Sequence, residues 1–335
     1  TEQIVALFSP QAQYKGLDLV VDFAPNLLLH RLGDSVRIQQ ILSNLIANAI
    51  KFCNAGGIYI TLKTNDKQDI IIHVRDTGIG ILKESQDLLF NAFVQADISI
   101  SRRYGGTGLG LSIVKSLVDL MNGQISLESS VDEGSCFQIT LPLPLSGTQP
   151  NWQIDHKSVV LSGCQEPIKK AVIHALERFG INNIIVTDKD HLIEKVAALS
   201  SDDRVIFCPP SGLSKDFDMP KHMLEIRAAT PAKLILIASQ FNFYQQFNAK
   251  QRAELHPIAF LSSPPPLIEF MRALKKTTDE AGSITATPDI QLLDGVNILI
   301  AEDNQLTRLL LNTLLSKLGA YCTLTSNGNE ALAAC

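Results

Sequence analysis

Apolar positions change their rhythm along this chain, and each change marks a different kind of packing. Up to about Ser146, helix-like and strand-like stretches are mixed. An entry helix to about Ala12 precedes a strand at residues 17–22 and a long helix at 34–53. In that helix Ile38, Ile41, Leu42, Leu45, Ile46, Ala49 and Ile50 keep the spacing of one buried face. Strands at 58–64 and 70–75 read as a hairpin. A loop-rich stretch to Gly108 then opens a helix reaching Met121, and strands at 123–128 and 136–143 close the region. Helices combined with a mostly antiparallel sheet predict an α/β sandwich with its helices on one face.

Residues 142–150 read as a linker, being rich in Pro and Gly. Beyond them, short apolar runs at 158–162, 183–187, 204–208, 233–238 and 258–262 alternate with helical stretches. That alternation predicts a doubly wound parallel sheet covered on both faces. A second polar linker spans 277–288. From Val296 the pattern runs strand, helix, strand and the start of a helix. The expected organisation is therefore α/β throughout, with domains at 1–146, 156–277 and 295–335. The last is too small to close a core and is expected to be poorly folded in isolation.

Composition narrows the chemistry. A net charge of −5 gives no electrostatic reason to expect nucleic acid as a partner, so any phosphate site must be built locally. No apolar run approaches the roughly 18 residues of a membrane helix, and the N-terminus lacks a signal-peptide pattern. The chain is thus expected to be soluble and cytoplasmic. It also reads as cut at both ends, starting and stopping inside helical patterns. The six cysteines show no paired spacing and read as buried free thiols in a reducing compartment.

Three short segments carry candidate chemistry. On the helix at 34–53, Asn44, Asn48 and Lys51 share a face displaced from the apolar stripe. Carboxamide oxygens suit a hard, partly hydrated magnesium ion, although a solvated polar face would look the same. Asp76 ends a strand and precedes Gly78 and Gly80. This is either an ordinary turn or a fixed carboxylate able to accept an adenine amino group, with glycines letting the backbone approach the ring. Residues 105–110 hold four glycines and open a helix, a setting in which free amides attract phosphate; Arg102 and Arg103 precede them. Leu111 stands where a phosphate loop needs lysine and where a dinucleotide fingerprint needs its third glycine, so both of those readings fail.

In order and spacing, Asn44–Phe52, Asp76–Gly80 and Gly105–Ser112 resemble the N, G1 and G2 boxes of the histidine-kinase ATP-binding domain. The likeness covers residues 1–145. It implies binding of ATP with Mg2+, with Asn44, Asn48 and Lys51 as the catalytic set, Asn48 touching the metal and Asp76 reading adenine beside Gly78 and Gly80. Arg102, Arg103, Tyr104, Gly106, Thr107, Gly108, Leu109 and Gly110 would form the phosphate lid, and Phe90 and Phe93 its core anchors. Related ATPases such as gyrase carry a glutamate base where Asn44 stands, which leaves hydrolysis unsupported and transfer to a protein side chain open.

The family phosphorylates a histidine on a helical hairpin before the ATP domain. None of the seven histidines lies on such a hairpin, so this chain is expected not to phosphorylate itself; His174 reads as filler on a later helix. The middle domain resembles a receiver without its chemistry. The acidic pair is replaced at Leu161-Ser162-Gly163, the phosphoacceptor near Cys208-Pro209 and the lysine at Ser263. An unrelated doubly wound domain with an unrecognised ligand is the alternative. The third unit regains the receiver opening, where Glu302 and Asp303 would hold Mg2+ in the intact protein.

That order resembles hybrid sensor histidine kinases of the BarA/GacS type. It implies ATP-to-histidine phosphotransfer feeding a phosphorelay, with a phosphoacceptor-histidine hairpin and a downstream phosphotransfer or response-regulator protein as partners. It further implies a homodimeric intact protein anchored in the inner membrane. An ATPase or serine kinase of the same superfamily, or a nucleotide-binding scaffold without phosphotransfer, are the alternatives.

Overall fold

The computed structural model describes residues 1–334 except 87, 91–108, 148, 150, 155–157, 189, 210–217, 239–250, 252–253, 256–257, 264, 276–292, 294, 304–306, 309–310, 313–314 and 316–319. The chain divides into two compact units, Thr1–Lys276 and Thr277–Cys335.

The first unit opens with helix α1 (Glu2–Tyr14), strand β1 (Asp18–Phe23) and helix α2 (Ser35–Phe52). Strands β2 (Gly57–Thr64) and β3 (Ile70–Asp76) follow, then the short α3 (Lys83–Gln86) and helix α4 (Gly110–Leu120). Strands β4 (Gln124–Ser130) and β5 (Gly134–Leu141) complete a sheet of order β1-β2-β3-β5-β4. Only β1 pairs parallel, to β2; the other ladders are antiparallel. Alternation along the strands sends Ile58, Ile60, Ile72, Val74 and Ile139 into one core with Ile41, Leu45, Ile46, Val114 and Val118 of the helices. His73 and Gln138, whose side chains pair at 2.9 Å, lie on the opposite face.

Helix α2 starts where Asp34 accepts the amides of Val36 and Arg37 at 3.0 and 3.1 Å, a cap worth about 1 kcal/mol. At its other end Lys15 Nζ donates to the carbonyls of Ile50 and Lys51, putting a cation against the negative end of the helix. Within the stretch expected as a linker, residues 144, 146 and 149 bond back to the segment before α2. Leu32 N donates to Pro144 O at 2.8 Å and Ser146 N to His30 O at 3.0 Å. Gln149 and His30 exchange two further bonds.

The second sheet comprises β6 (Val159–Ser162), β7 (Ile184–Thr187), β8 (Arg204–Phe207), β9 (Lys233–Ala238) and β10 (Ile258–Ser262). All its ladders are parallel and the order is β10-β9-β8-β6-β7, the doubly wound arrangement. Helices α5 (Ile168–Arg178) and α8 (Leu267–Lys275) cover one face around Phe179 and Phe270. Helices α6 (Leu192–Val196) and α7 (Met219–Ala229) cover the other, around Phe207 and Met223.

Two expectations need correction. Cys164 and Cys208 are joined by a disulfide, whereas Cys53, Cys136 and Cys322 are free thiols. The pair is 44 residues apart in sequence, and only the adjacency of β6 and β8 brings it together. His174 is not filler: its Nδ1 meets Asp22 Oδ1 of β1 at 2.7 Å, so α5 of the second sheet is docked on the edge of the first.

In the second unit, β11 (Asn297–Ala301) pairs parallel with β12 (Tyr321–Thr325), and α9 (Gly328–Ala334) follows. Ile300, Ala320 and Thr325 are buried, while Leu299, Tyr321, Leu324 and Leu332 are exposed.

Candidate functional site

The described parts of the three sequence segments, Asn44–Phe52, Asp76–Gly80 and residues 109–112, lie together along α2. The apolar stripe of α2 faces the sheet and leaves Asn44, Asn48 and Lys51 half-buried along its edge. Asn44 Nδ2 is bonded to Gln40 O at 2.9 Å, which turns its amide oxygen outward toward α4. Gly110 opens α4 there: a methyl on it would stand 3.4 Å from Asn44 Oδ1 and 3.8 Å from Asn48 Nδ2. The first amides of α4 therefore lie beside the two carboxamides. Lys51 has its ammonium 4.9 Å from the Phe52 ring centre, and burial lowers its pKa.

Asp76 is buried at the end of β3, 6% exposed, which is unusual for a carboxylate. Its Oδ1 accepts the Gly78 amide at 2.8 Å, and the Ser135 amide also bonds it. Burial raises its pKa, outweighing these two bonds and the charge of Arg75. The loop behind it is tightly stitched. Thr77 Oγ1 donates to Ala55 O at 2.9 Å and accepts Gly57 N at 3.0 Å, while Ile79 N reaches Phe52 O at 3.3 Å. A methyl on Gly78 would meet Phe52 O at 2.6 Å, and one on Gly80, where φ is +68°, would meet Ser130 O at 1.9 Å. These glycines are required by close backbone approach.

Sequence reasoning missed the layer that holds this loop. Ser129 Oγ accepts Ile81 N, and Gln86 Nε2 donates to Ile81 O and Ser129 O, each at 2.9 Å. Gly134, with φ +93°, turns β4 into β5 directly against Asp76: a methyl there would stand 2.0 Å from Asp76 O. Its position after Val131-Asp132-Glu133 was the available signal. Gly134→Ala is expected to cost about 2–5 kcal/mol, from left-handed strain plus a backbone clash. Urea unfolding checks this; a midpoint within error of the parent would refute it.

Leu109 and Gly110 lie at the start of α4 as expected, and Phe90 packs on the core. Phe93, Arg102, Arg103, Tyr104, Gly106, Thr107 and Gly108 lie outside the described residues. In the second unit, Glu302 and Asp303 follow β11, with Glu302 N bonded to Thr325 O at 3.1 Å. Among the described residues, no group of three His, Cys, Asp or Glu is arranged to hold a metal ion. A cation at the α2 edge would therefore depend on amide oxygens, water and phosphate. That donor set fits Mg2+.

Residues 33–145 match the family described as histidine kinase-, DNA gyrase B-, and HSP90-like ATPase. The chain is 44% identical over 149 residues to signal transduction histidine-protein kinase BarA of Escherichia coli K12, covering 43% of this chain and 16% of that protein. Sensor histidine kinase GacS of Pseudomonas protegens is 28% identical over 352 residues, covering 99% of this chain and 37% of its own length. Likeness to GacS thus continues past the ATPase domain, and the chain spans well under half the length of either relative. A crystal structure of full-length ShkA with AMPPNP aligns with a TM-score of 0.63 at 22% identity, covering 99% of this chain and 66% of that one. At that identity the likeness concerns the fold: a helix-backed ATPase sheet and a receiver-like parallel sheet. Among the described residues, no helix is long and apolar enough to cross a membrane.

Proposed function

We propose that this chain is the ATP-binding catalytic part of a hybrid sensor histidine kinase, donating the γ-phosphoryl group of ATP to a histidine on a separate helical hairpin. The observation that carries the proposal is Asp76, a buried carboxylate at the end of β3 fixed by the Gly78 amide. Such a group accepts the adenine amine, while Gly78 and Gly80 let the loop that carries it pack closely on Phe52 and Ser130. The amides at the start of α4 and the Lys51 ammonium would take the phosphates, with Arg102, Arg103, Tyr104, Gly106, Thr107 and Gly108 closing over them. Asn48 would hold Mg2+ and Asn44 would orient its water shell; the ion would neutralise phosphate charge when bound.

In this reading the domains are residues 1–146, the ATPase; 156–277, a degenerate receiver; and 295–335, the opening of a receiver in which Glu302 and Asp303 would hold Mg2+. The partners are the phosphoacceptor hairpin and a downstream response regulator or phosphotransfer protein, with the intact protein a membrane-anchored homodimer. Phosphoryl transfer at Asn44 without a carboxylate base favours a protein nucleophile over water.

The test mixes the chain with a separately produced histidine hairpin and γ-labelled ATP. Acid-labile, base-stable label on the hairpin histidine is expected, with none on the chain alone. Label released only as inorganic phosphate would show an ATPase, and binding without either product would show a nucleotide-dependent scaffold.

A further inference from the structure

The degenerate receiver lacks the acidic residues of its resemblance, yet its carboxyl edge is not chemically empty. In a doubly wound sheet, ligands and reactive groups gather where the parallel strands end. Here β6 ends at Ser162 and β8 at Phe207, joined by the Cys208 amide on Ser162 O at 2.9 Å. The next residues bring Cys164 and Cys208 together with Cα atoms 4.7 Å apart. Gly163 makes that approach feasible: its φ is +79°, and a methyl on it would stand 2.3 Å from Cys208 O. Cys208 is 3% exposed and Cys164 is half-buried, so Cys164 is the more open of the two to a thiolate from solution.

The pair is also well placed to be felt elsewhere. Cys164 lies three residues before Pro167, the N-terminal cap of α5. The far end of α5 grips the ATPase sheet: His174 bonds Asp22, and the Arg178 guanidinium donates to the carbonyls of Ala24 and Leu27. Between them lies a cavity of about 220 Å³ lined by Val5, Pro10, Val21, Ala171, Pro266 and Phe270. Helix α5 borders that cavity through Ala171, Val172 and Ala175, so its packing toward β1 and α1 is incomplete on that side.

We propose that Cys164 and Cys208 are a reversible dithiol–disulfide couple. It occupies the edge where a receiver is phosphorylated, and its oxidation state sets how α5 seats on β1 of the ATPase domain. Oxidation by a low-molecular-weight disulfide such as oxidised glutathione proceeds through a mixed disulfide. One thiolate attacks, releasing a first glutathione; the second displaces another. The two cysteines lose two electrons and two protons, one S–S bond forms in the protein, and one S–S bond breaks in the oxidant. Reduction reverses each step, freeing the turn before α5 from the end of β8.

The full chain is equilibrated in glutathione buffers from fully oxidising to fully reducing. It is then alkylated with N-ethylmaleimide, mapped by peptide mass spectrometry and followed in parallel by hydrogen exchange. Cys164 and Cys208 are expected to change together, as one two-thiol step inside the range of the buffers. Amides of β1 and α5 should exchange about tenfold faster in the reduced form, equivalent to about 1.4 kcal/mol. Cys164→Ser should fix exchange at the reduced level in every buffer; the parent titration stands even if that variant folds poorly. Alkylation of both cysteines in every buffer, protection of both in every buffer, or a redox step without any change at β1 and α5 would each overturn the proposal.

Discussion

Replacing Asp76 by Asn is expected to weaken binding of a nonhydrolysable ATP analogue by about ten- to a hundredfold, the loss of a charge-assisted hydrogen bond of about 1.5–3 kcal/mol. The amides of Gly78 and Ser135 both bond this carboxylate. An asparagine can answer one of them, but its NH2 group then faces a donor, whether the second backbone amide or the adenine amine. The fold should survive, because removing a charge from a site 6% exposed relieves a desolvation cost. Calorimetry with circular dichroism as a folding control decides the matter: a well-folded variant with parental affinity would remove Asp76 from the binding site.

The same carboxyl sets a pH signature. Burial raises its pKa above the ordinary aspartate range in the folded state. Its contribution to stability is therefore present below the unfolded pKa and lost as pH rises through the folded one. Adenine recognition needs the ionised form and runs the opposite way, strengthening over that window. Nucleotide affinity of the parent should thus rise with pH just above the usual carboxylate range, and the Asp76→Asn profile should lack that rise. Parallel profiles for the two proteins would refute the assignment.

Much of the architecture was legible because its signals are local. The spacing of Ile38, Ile41, Leu42, Leu45, Ile46, Ala49 and Ile50 defines α2 without reference to anything else, and all are buried except Ile38, which is partly so. The short apolar runs of the second region became five parallel strands within a residue or so of expectation, since a strand covered on both faces must be apolar throughout. The Asp76 loop was readable for a similar reason: three neighbouring residue types each serve the turn. What escaped were features defined by partners distant in sequence. Ser129 and Gln86, which hold that loop, carry no motif. Cys164 and Cys208 meet only because β6 and β8 are neighbours. On α5, His174 and Arg178 share a face at i and i+4, which could have been noticed; that Asp22 and Ala24 lie opposite could not.

Arg178 gives that last contact its largest expected effect. It is 8% exposed, and burial lowers its pKa. The guanidinium spans the carbonyls of Ala24 and Leu27 in the turn after β1, while Phe23 and Leu29 of the same segment pack on the core of the second sheet. Truncation to Ala removes the donor and leaves the Leu27 carbonyl buried beside a void, whereas Ala24 O keeps the Leu27 amide at 3.0 Å. Loss of about 2–4 kcal/mol from the junction is expected. Lysine can supply one donor but not a planar fork, so Arg178→Lys should recover only part of it. Because each sheet retains its own core, the loss should uncouple the two rather than unfold either. Calorimetry of Arg178→Ala should then resolve two transitions where the parent is more nearly cooperative, with faster hydrogen exchange confined to residues 22–29 and α5. A single unshifted transition would mean that the two sheets unfold together for some reason other than this arginine.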